Sequence, residues 1–523
     1  IVVEAKADSA NPAALQSAGS IEFKVPLSSQ LSLGHGQFSA GGALKLISAD
    51  DLLIDTKLDG GDLGVTQIGL ITTGSLTVTT DGYLVADDAI SVSASTIDFA
   101  GVAHVRNAET TVLSQWQSTG NLTVSGNVFG GRYSIEAGTD LSLDNAVIGL
   151  NLGDFAGISA TDAQVSAVTL KSGADMTLGT LTVQARDTLN IDATGELLFG
   201  INTKLYTSAT DSEIGVQGGS AQWAGEAYAG ATYDAADPTS PTMSAGTQAD
   251  IQINVNTELD FGDGASPAVM KATGMVQIDT GPDTLTLESL FIDADAIDIS
   301  SSGVLWAKGG TLLASSSATL RGGINANSTI ESPAPALLVD SAPEVAAGGS
   351  LTLASEGGIL LRTHLGGSYN ETQDAFVDRV DALTLRTTGG DINIGDGQTA
   401  EVDGVVSVLN AGALFAESRI EIESAGQINL LAGAEVDAAA ADSTLRVLAQ
   451  GDMLVVASAE LQAGQFVHLA GDAVAINGTA EVSDADPSSR LLVSAASQIV
   501  RNGTLTSAGH ITLHSGVDLS AST

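Results

Sequence analysis

The chain has 523 residues, a length that by itself suits three or four globular domains, and 43% of them are apolar while only 4% are aromatic. With 19 basic and 62 acidic residues the formal net charge is −43, which argues against a nucleic-acid binder and disfavours docking on anionic membranes. Cysteine is absent, so no disulfide framework operates, and no run approaches the 18 apolar residues of a membrane-spanning helix, so no membrane insertion is expected.

Residues 1–30 read as an irregular cap, linker or exchanged strand, rich in Ala and Ser, with Asn11, Pro12 and Pro26. Within it Ile21, Phe23 and Val25 alternate with polar residues as a short strand, a candidate for lending to a neighbouring molecule. Ile1–Glu4 does not open like a signal peptide, and the chain is expected to be a processed protein or an excerpt of a longer one.

From residue 31 to 523 the chain reads as a single solenoid. A short phrase, apolar–x–apolar, returns between turns of Gly, Ala, Ser, Asp or Asn. Leu44/Leu46, Leu76/Val78, Ile97/Phe99, Leu122/Val124, Leu141/Leu143, Val168/Leu170 and Leu189/Ile191 carry it first. Alternation with period two is the strand signal. The pattern weakens over 204–248, which holds Trp223, Tyr206, Tyr228, Tyr233 and the segment Asp237–Met243, so an insertion is expected there. It resumes at Ile251/Ile253, Leu285/Leu287 and Ile297/Ile299. Proline, which lacks a ladder donor, marks a second insertion at 325–349, and a third is expected at 364–381. From Leu383 onward the coils read as regular.

The last quarter shows the repeat best. Ile420/Ile422, Leu445/Val447, Val467/Leu469, Leu491/Val493 and Ile511/Leu513 follow at steps of 25, 22, 24 and 20 residues. A second series is Ile428/Leu430, Met453/Val455, Val474/Ile476 and Ile499, and a third is Val436, Leu461, Val482 and Leu505. Three short strands per 20–25 residues predict an all-β parallel β-helix (β-solenoid), in which like positions stack coil on coil. Roughly 20 coils, each rising about 4.8 Å, predict a rod of about 100 Å.

The chemistry-bearing residues are sparse. Asp50-Asp51, Asp87-Asp88 and Gly34-His35-Gly36 faintly resemble the polygalacturonase pattern, but here the Gly-His-Gly precedes both acid pairs and the basic tripeptide is missing. Turn roles are the simpler reading for these acids and for His35. Arg379, between Asp378 and Asp381, reads as a solvated loop. For metal, Ca²⁺ is the candidate, with Asp293 and Asp295 on one face of a strand; Asp298 falls on the other face or in the turn. For recognition, exposed aromatics stack on sugars, which makes Trp223, Tyr228 and Tyr233 the candidate surface. Trp116 is a further candidate, while Trp306 reads as core or coil cap.

Gly120-Asn121-Leu122-Thr123-Val124, Gly349-Ser350-Leu351-Thr352-Leu353, Gly390-Asp391-Ile392-Asn393-Ile394 and Gly426-Gln427-Ile428-Asn429-Leu430 resemble the repeats of filamentous-haemagglutinin-type bacterial exoproteins and adhesins. The family's N-terminal secretion-domain signature, with its Asn-Pro motifs, is missing, Asn11-Pro12 being the single Asn-Pro. The resemblance implies a right-handed helix and a non-catalytic fibre segment, extracellular or held at the bacterial cell surface. Partners would be further copies of the chain, or extracellular polysaccharide or protein. A self-assembling filament or sheath is one alternative, and a carbohydrate-active lyase or hydrolase is the other.

Overall fold

Strands with one edge in a core must alternate apolar and polar side chains, and the computed structural model places the repeated phrases in such strands. The structure describes residues 42–59, 66–107, 111–150, 163–233, 241–244, 248–262, 267–308, 310–323, 349–366, 379–395 and 412–521, with shorter pieces at 2–4, 14–17, 21–25, 31–40, 158–159, 335–339, 344–345, 368–370, 375–377, 399–402 and 405–408. The chain divides into two compact units, Ile1–Met275 and Val276–Thr523.

In the first unit, strands pair in parallel with strands one repeat away. Ala89–Ala94 pairs with Gln67–Thr72 on one side and Leu113–Ser118 on the other. Thr96–Phe99 lies likewise between Ser75–Val78 and Leu122–Val124, and Val102–Val105 between Tyr83–Ala86 and Asn127–Phe129. This stretch therefore has three strands per repeat, and the fold is all-β and solenoid-like. The first face continues the column of Leu44/Leu46, the second that of Leu52/Ile54, and the third that of Leu58. The second unit repeats the arrangement. Ile420/Ile422 stack on Leu445/Val447, Ile428/Leu430 on Met453/Val455, and Val436 on Leu461. In the third series the residue in line with Leu461 is Ala480, and Val482 stacks on Ala463. The expected phrase slipped by two residues because both positions face inward and Ala is the weaker apolar signal.

Inward residues form the core: Leu46, Ile54, Leu70 and Val78 are 0% exposed, and their successors in the columns of the first unit are buried. Burying a Leu or Val side chain contributes roughly 1.5–3 kcal/mol, so each coil adds its own increment of core.

The turns have their own chemistry. A buried Ser or Thr ends many first-face strands and closes the turn to the second face. Ser48 Oγ donates to the Asp51 carbonyl (3.0 Å), Ser172 to Asp175 (2.7 Å), Thr387 to Gly390 (2.7 Å) and Ser424 to Gln427 (3.1 Å). An aspartate beside this turn accepts a backbone N–H from the next coil. Asp51 takes that of Ser75 (2.9 Å), Asp175 that of Glu196 (2.9 Å) and Asp391 that of Gln427 (2.7 Å), and Asp250, at the start of a first-face strand, takes that of Met275 (2.6 Å). Turns also stack tightly: a Cβ on Gly126 would lie 2.1 Å from the Gly101 carbonyl oxygen, so no side chain fits there. Replacing Asp391 with Ala is expected to lower stability by about 1 kcal/mol in urea titrations, with Asp391→Asn keeping most of it because an acceptor oxygen remains.

Several boundaries differ from the sequence reading. Residues 203–229 are coil strands: Thr203–Thr207, Glu213–Gly218, Ser220–Trp223 and Glu226–Ala229 all pair with neighbouring coils. The departure expected over 204–248 begins only after them, at the antiparallel pair Ala231–Thr232 with Thr242–Met243. Much of 325–349 lies outside the described residues, but Pro335–Val339 is a second-face strand paired with Leu305–Ala307 and Gly358–Leu361. In 364–381, Ser368–Asn370 pairs antiparallel with Ala375–Val377. A further antiparallel pair, Thr399–Val402 with Val405–Val408, interrupts coils that read as regular, because its own alternation imitates a coil strand. In 1–30, Val2–Glu4 and Ala14–Ser17 pair in parallel with Leu31–Ala40.

Candidate functional site

The aromatic residues singled out for recognition lie inside. Trp223 follows the phrase Ala221-Gln222-Trp223, in register with Leu197–Phe199 below and Leu259–Phe261 above. Its parity turns it inward, where it is 0% exposed. Its ring stacks on Phe199 at 3.9 Å, and its indole N–H donates to the Gly225 carbonyl (3.1 Å). The expectation of an exposed stacking platform at Trp223 is thus corrected. The signal was present: a second-face phrase in which Ala replaces the usual Leu.

Tyr228 is also buried and stacks on Tyr206 at 5.1 Å, with Tyr233 set edge-on to Tyr206 at 5.5 Å. Ala231 and Met243, from the antiparallel pair, pack against this cluster. The Tyr228 hydroxyl donates to Glu226 Oε2 (3.0 Å), which also pairs with Lys204 (3.1 Å). Burial, with the neighbouring Glu226 charge, holds the Tyr228 hydroxyl far above its ordinary range. Trp116 is buried too, donating to the Ile90 carbonyl (3.0 Å). Trp306, expected as core or coil cap, is a middle strand residue that faces outward, half-buried, with Lys308 Nζ 5.1 Å above its ring.

The acids of the hydrolase comparison sit in different turns. Asp50-Asp51 joins Ala43–Ser48 to Leu52–Asp59, whereas Asp87-Asp88 joins Tyr83–Ala86 to Ala89–Ala94. Asp51 holds the Ser75 amide and Asp87 pairs with Arg106 (3.3 Å). His35, expected in a turn, lies within the strand Leu31–Ala40, where the register with Leu52–Asp59 shifts between Gly34 and Gln37.

Asp293 and Asp295 do share the exposed face of one strand, Leu290–Ser301. Asp295 accepts from Ser315 Oγ (2.6 Å), while Asp298 pairs with Arg321 (2.9 Å). Among the described residues no group of three or more His, Cys, Asp or Glu is placed to hold a metal ion. Ile21–Val25 pairs in parallel with Ala43–Ser48 of its own chain, Ile21 against Leu44 and Phe23 against Leu46.

Arg379 is no solvated loop residue. It reaches a strand 58 residues on, donating to Asp437 Oδ2 at 2.7 Å, with its guanidinium 5.2 Å over the Phe415 ring. Both ion-pair side chains are only 15% and 17% exposed. Glu435 lies in the same strand as Asp437 and stacks in register on Glu460. Burial raises the Glu435 carboxyl above its ordinary value of 4.5, with the Asp437 and Glu460 charges adding and Arg379 opposing. A raised carboxyl holds its proton more tightly folded than unfolded, so stability falls as pH rises from 4.5 through the folded value. Glu435→Gln is therefore expected to melt above the native chain near neutral pH and level with it at about pH 4, in scans across that range.

Several other cations bridge adjacent coils: Arg446 with Glu421 (3.2 Å), Lys308 with Glu288 (3.0 Å), Lys171 with Asp192 (3.3 Å). Among the described residues no helix is long and apolar enough to cross a membrane. No family model, no curated protein and no solved structure matches the chain.

Proposed function

We propose that the coils wind as a right-handed parallel β-helix, and that the chain is a non-catalytic structural or adhesive segment of a bacterial surface or secreted protein, working outside the cell. The observation that carries this reading is how the polar residues are used. Turn carboxylates and hydroxyls hold backbone amides and carbonyls, many of them in the next coil, and cations bridge acids on neighbouring coils. The acidic excess left over keeps molecules apart in solution. Its partners would be extracellular polysaccharide, protein or further copies of itself.

Negative-stain microscopy with and without Ca²⁺, paired with lyase and hydrolase assays on acidic polysaccharides, tests the proposal. Separate elongated particles without turnover support it. Release of reducing or unsaturated sugars would overturn it in favour of an enzyme. Long regular fibres would assign the chain to a self-assembling filament or sheath.

A further inference from the structure

The outward-facing positions of the second unit differ sharply between faces. The first face carries Asp298, Arg321, Arg386, Glu421 and Arg446, and the third carries Asp293, Glu435, Asp437, Glu460 and Glu481. Each second-face strand has one outward residue, its middle one. From Trp306, which stacks in register on Thr286 of the preceding coil, that column runs through Leu338 and Leu360. Two asparagines, Asn393 and Asn429, follow, joined by an amide hydrogen bond of 2.9 Å. It then continues through Leu454, Ala475 and Val500. All eight side chains are half-buried and none is charged. Acids in the adjoining turns are engaged within the fold: Asp391 holds the Gln427 amide and Asp452 that of Ala473 (3.2 Å).

We propose that this column is a contact face between two copies of the chain, packed antiparallel about a two-fold axis between Asn393 and Asn429. Two observations select a second copy. The molecule carries a net charge of −43, and copies meeting on the acidic third face would oppose like charges, whereas copies meeting on this column oppose none. The column is also self-complementary about its centre. Antiparallel packing sets Asn393 opposite Asn429 of the second copy, where amides both donate and accept. It sets Leu360 opposite Leu454, and Leu338 opposite the smaller Ala475. A two-fold contact of this kind closes at two copies instead of growing into a fibre. The face is narrow. Seven steps of about 4.8 Å give a length of about 34 Å, and a width of about 10 Å means a pair buries on the order of 700 Å². That is below the roughly 1,200 Å² of a stable complex, so the association is weak and concentration-dependent. This inference is independent of whether the chain binds polysaccharide.

Sedimentation equilibrium of the full chain, from about 1 to about 100 micromolar at low and high salt, tests it. A monomer–dimer equilibrium that strengthens with salt is expected, because screening relieves the acidic repulsion. Leu360→Lys or Leu454→Glu alone should weaken it at least tenfold. Both substitutions in one chain should restore it, since the antiparallel register sets the two sites against each other. Thr352→Glu, on the first face, should change nothing. Circular dichroism checks that each variant folds. A native chain that stays monomeric throughout, or an open series of oligomers, overturns the proposal. Failure of the double variant to recover overturns the two-fold arrangement.

Discussion

Trp223→Ala is expected to lower unfolding stability by about 3–5 kcal/mol, the range for truncating a large buried aromatic. The side chain is 0% exposed and lies flat on Phe199 at 3.9 Å, between coils that continue the same column. Truncation opens a cavity that the stacked backbone cannot close, since its spacing is set by ladder hydrogen bonds on both sides. It also removes one of the two donors to the Gly225 carbonyl, which keeps the Val269 amide. Trp223→Phe should cost less, because it keeps the stacking and gives up mainly the hydrogen bond. Urea unfolding followed by far-ultraviolet circular dichroism reads both. Stability in a repeat protein is a sum of local terms, so the loss should appear first as protection lost by the amides of residues 196–262 in hydrogen exchange. A change within about 0.5 kcal/mol would return Trp223 to the surface role its composition suggested.

Arg379→Met is expected to cost about 3 kcal/mol, the scale for removing one partner of a largely buried ion pair. The substitution leaves Asp437 without its 2.7 Å partner, beside Glu435 and the stacked Glu460. It keeps an apolar side chain against Phe415, so the loss reports charge more than packing. Two further readings follow from the same geometry. Asp437→Asn in the Arg379→Met background should recover a substantial part, because the uncompensated charge is gone, and a double-mutant cycle isolates that coupling. The deficit of the single variant should also shrink on acidification, as the acids protonate and need no counter-charge. Thermal scans of the four chains across pH settle both points. Equal melting of the native and Arg379→Met chains would place Arg379 back in a solvated loop.

The strand phrases were legible because their cause is local. A residue and its second neighbour face the same side, so apolar–x–apolar marks a buried edge without knowledge of any partner. Their recurrence at 20–25 residues also gave the stacking register, as Ile420/Ile422 on Leu445/Val447 shows. The phrase failed where small residues filled inward positions. Ala221 hid the strand that carries Trp223, and Ala480 hid the partner of Leu461. It misled in the other direction at Thr399–Val402 and Val405–Val408, which alternate like coil strands but pair only with each other.

The use of the charged residues was not legible. Asp391 meets the Gln427 amide 36 residues on, and Arg379 meets Asp437 across 58. Loop lengths between coils vary, so no fixed spacing in the chain announces these contacts. The acidic composition therefore read as a solvated coat, although aspartates such as Asp51 and Asp175 staple one coil to the next.

By itself, then, the sequence determined the all-β class, the parallel repeat and the aliphatic core, because burial with period two and stacking of like on like are properties of neighbouring residues. The tertiary structure alone decided which aromatics lie inside, which acids are engaged and which face is left uncharged. Those outcomes depend on the register between coils, where residues tens of positions apart come within about 4.8 Å of each other.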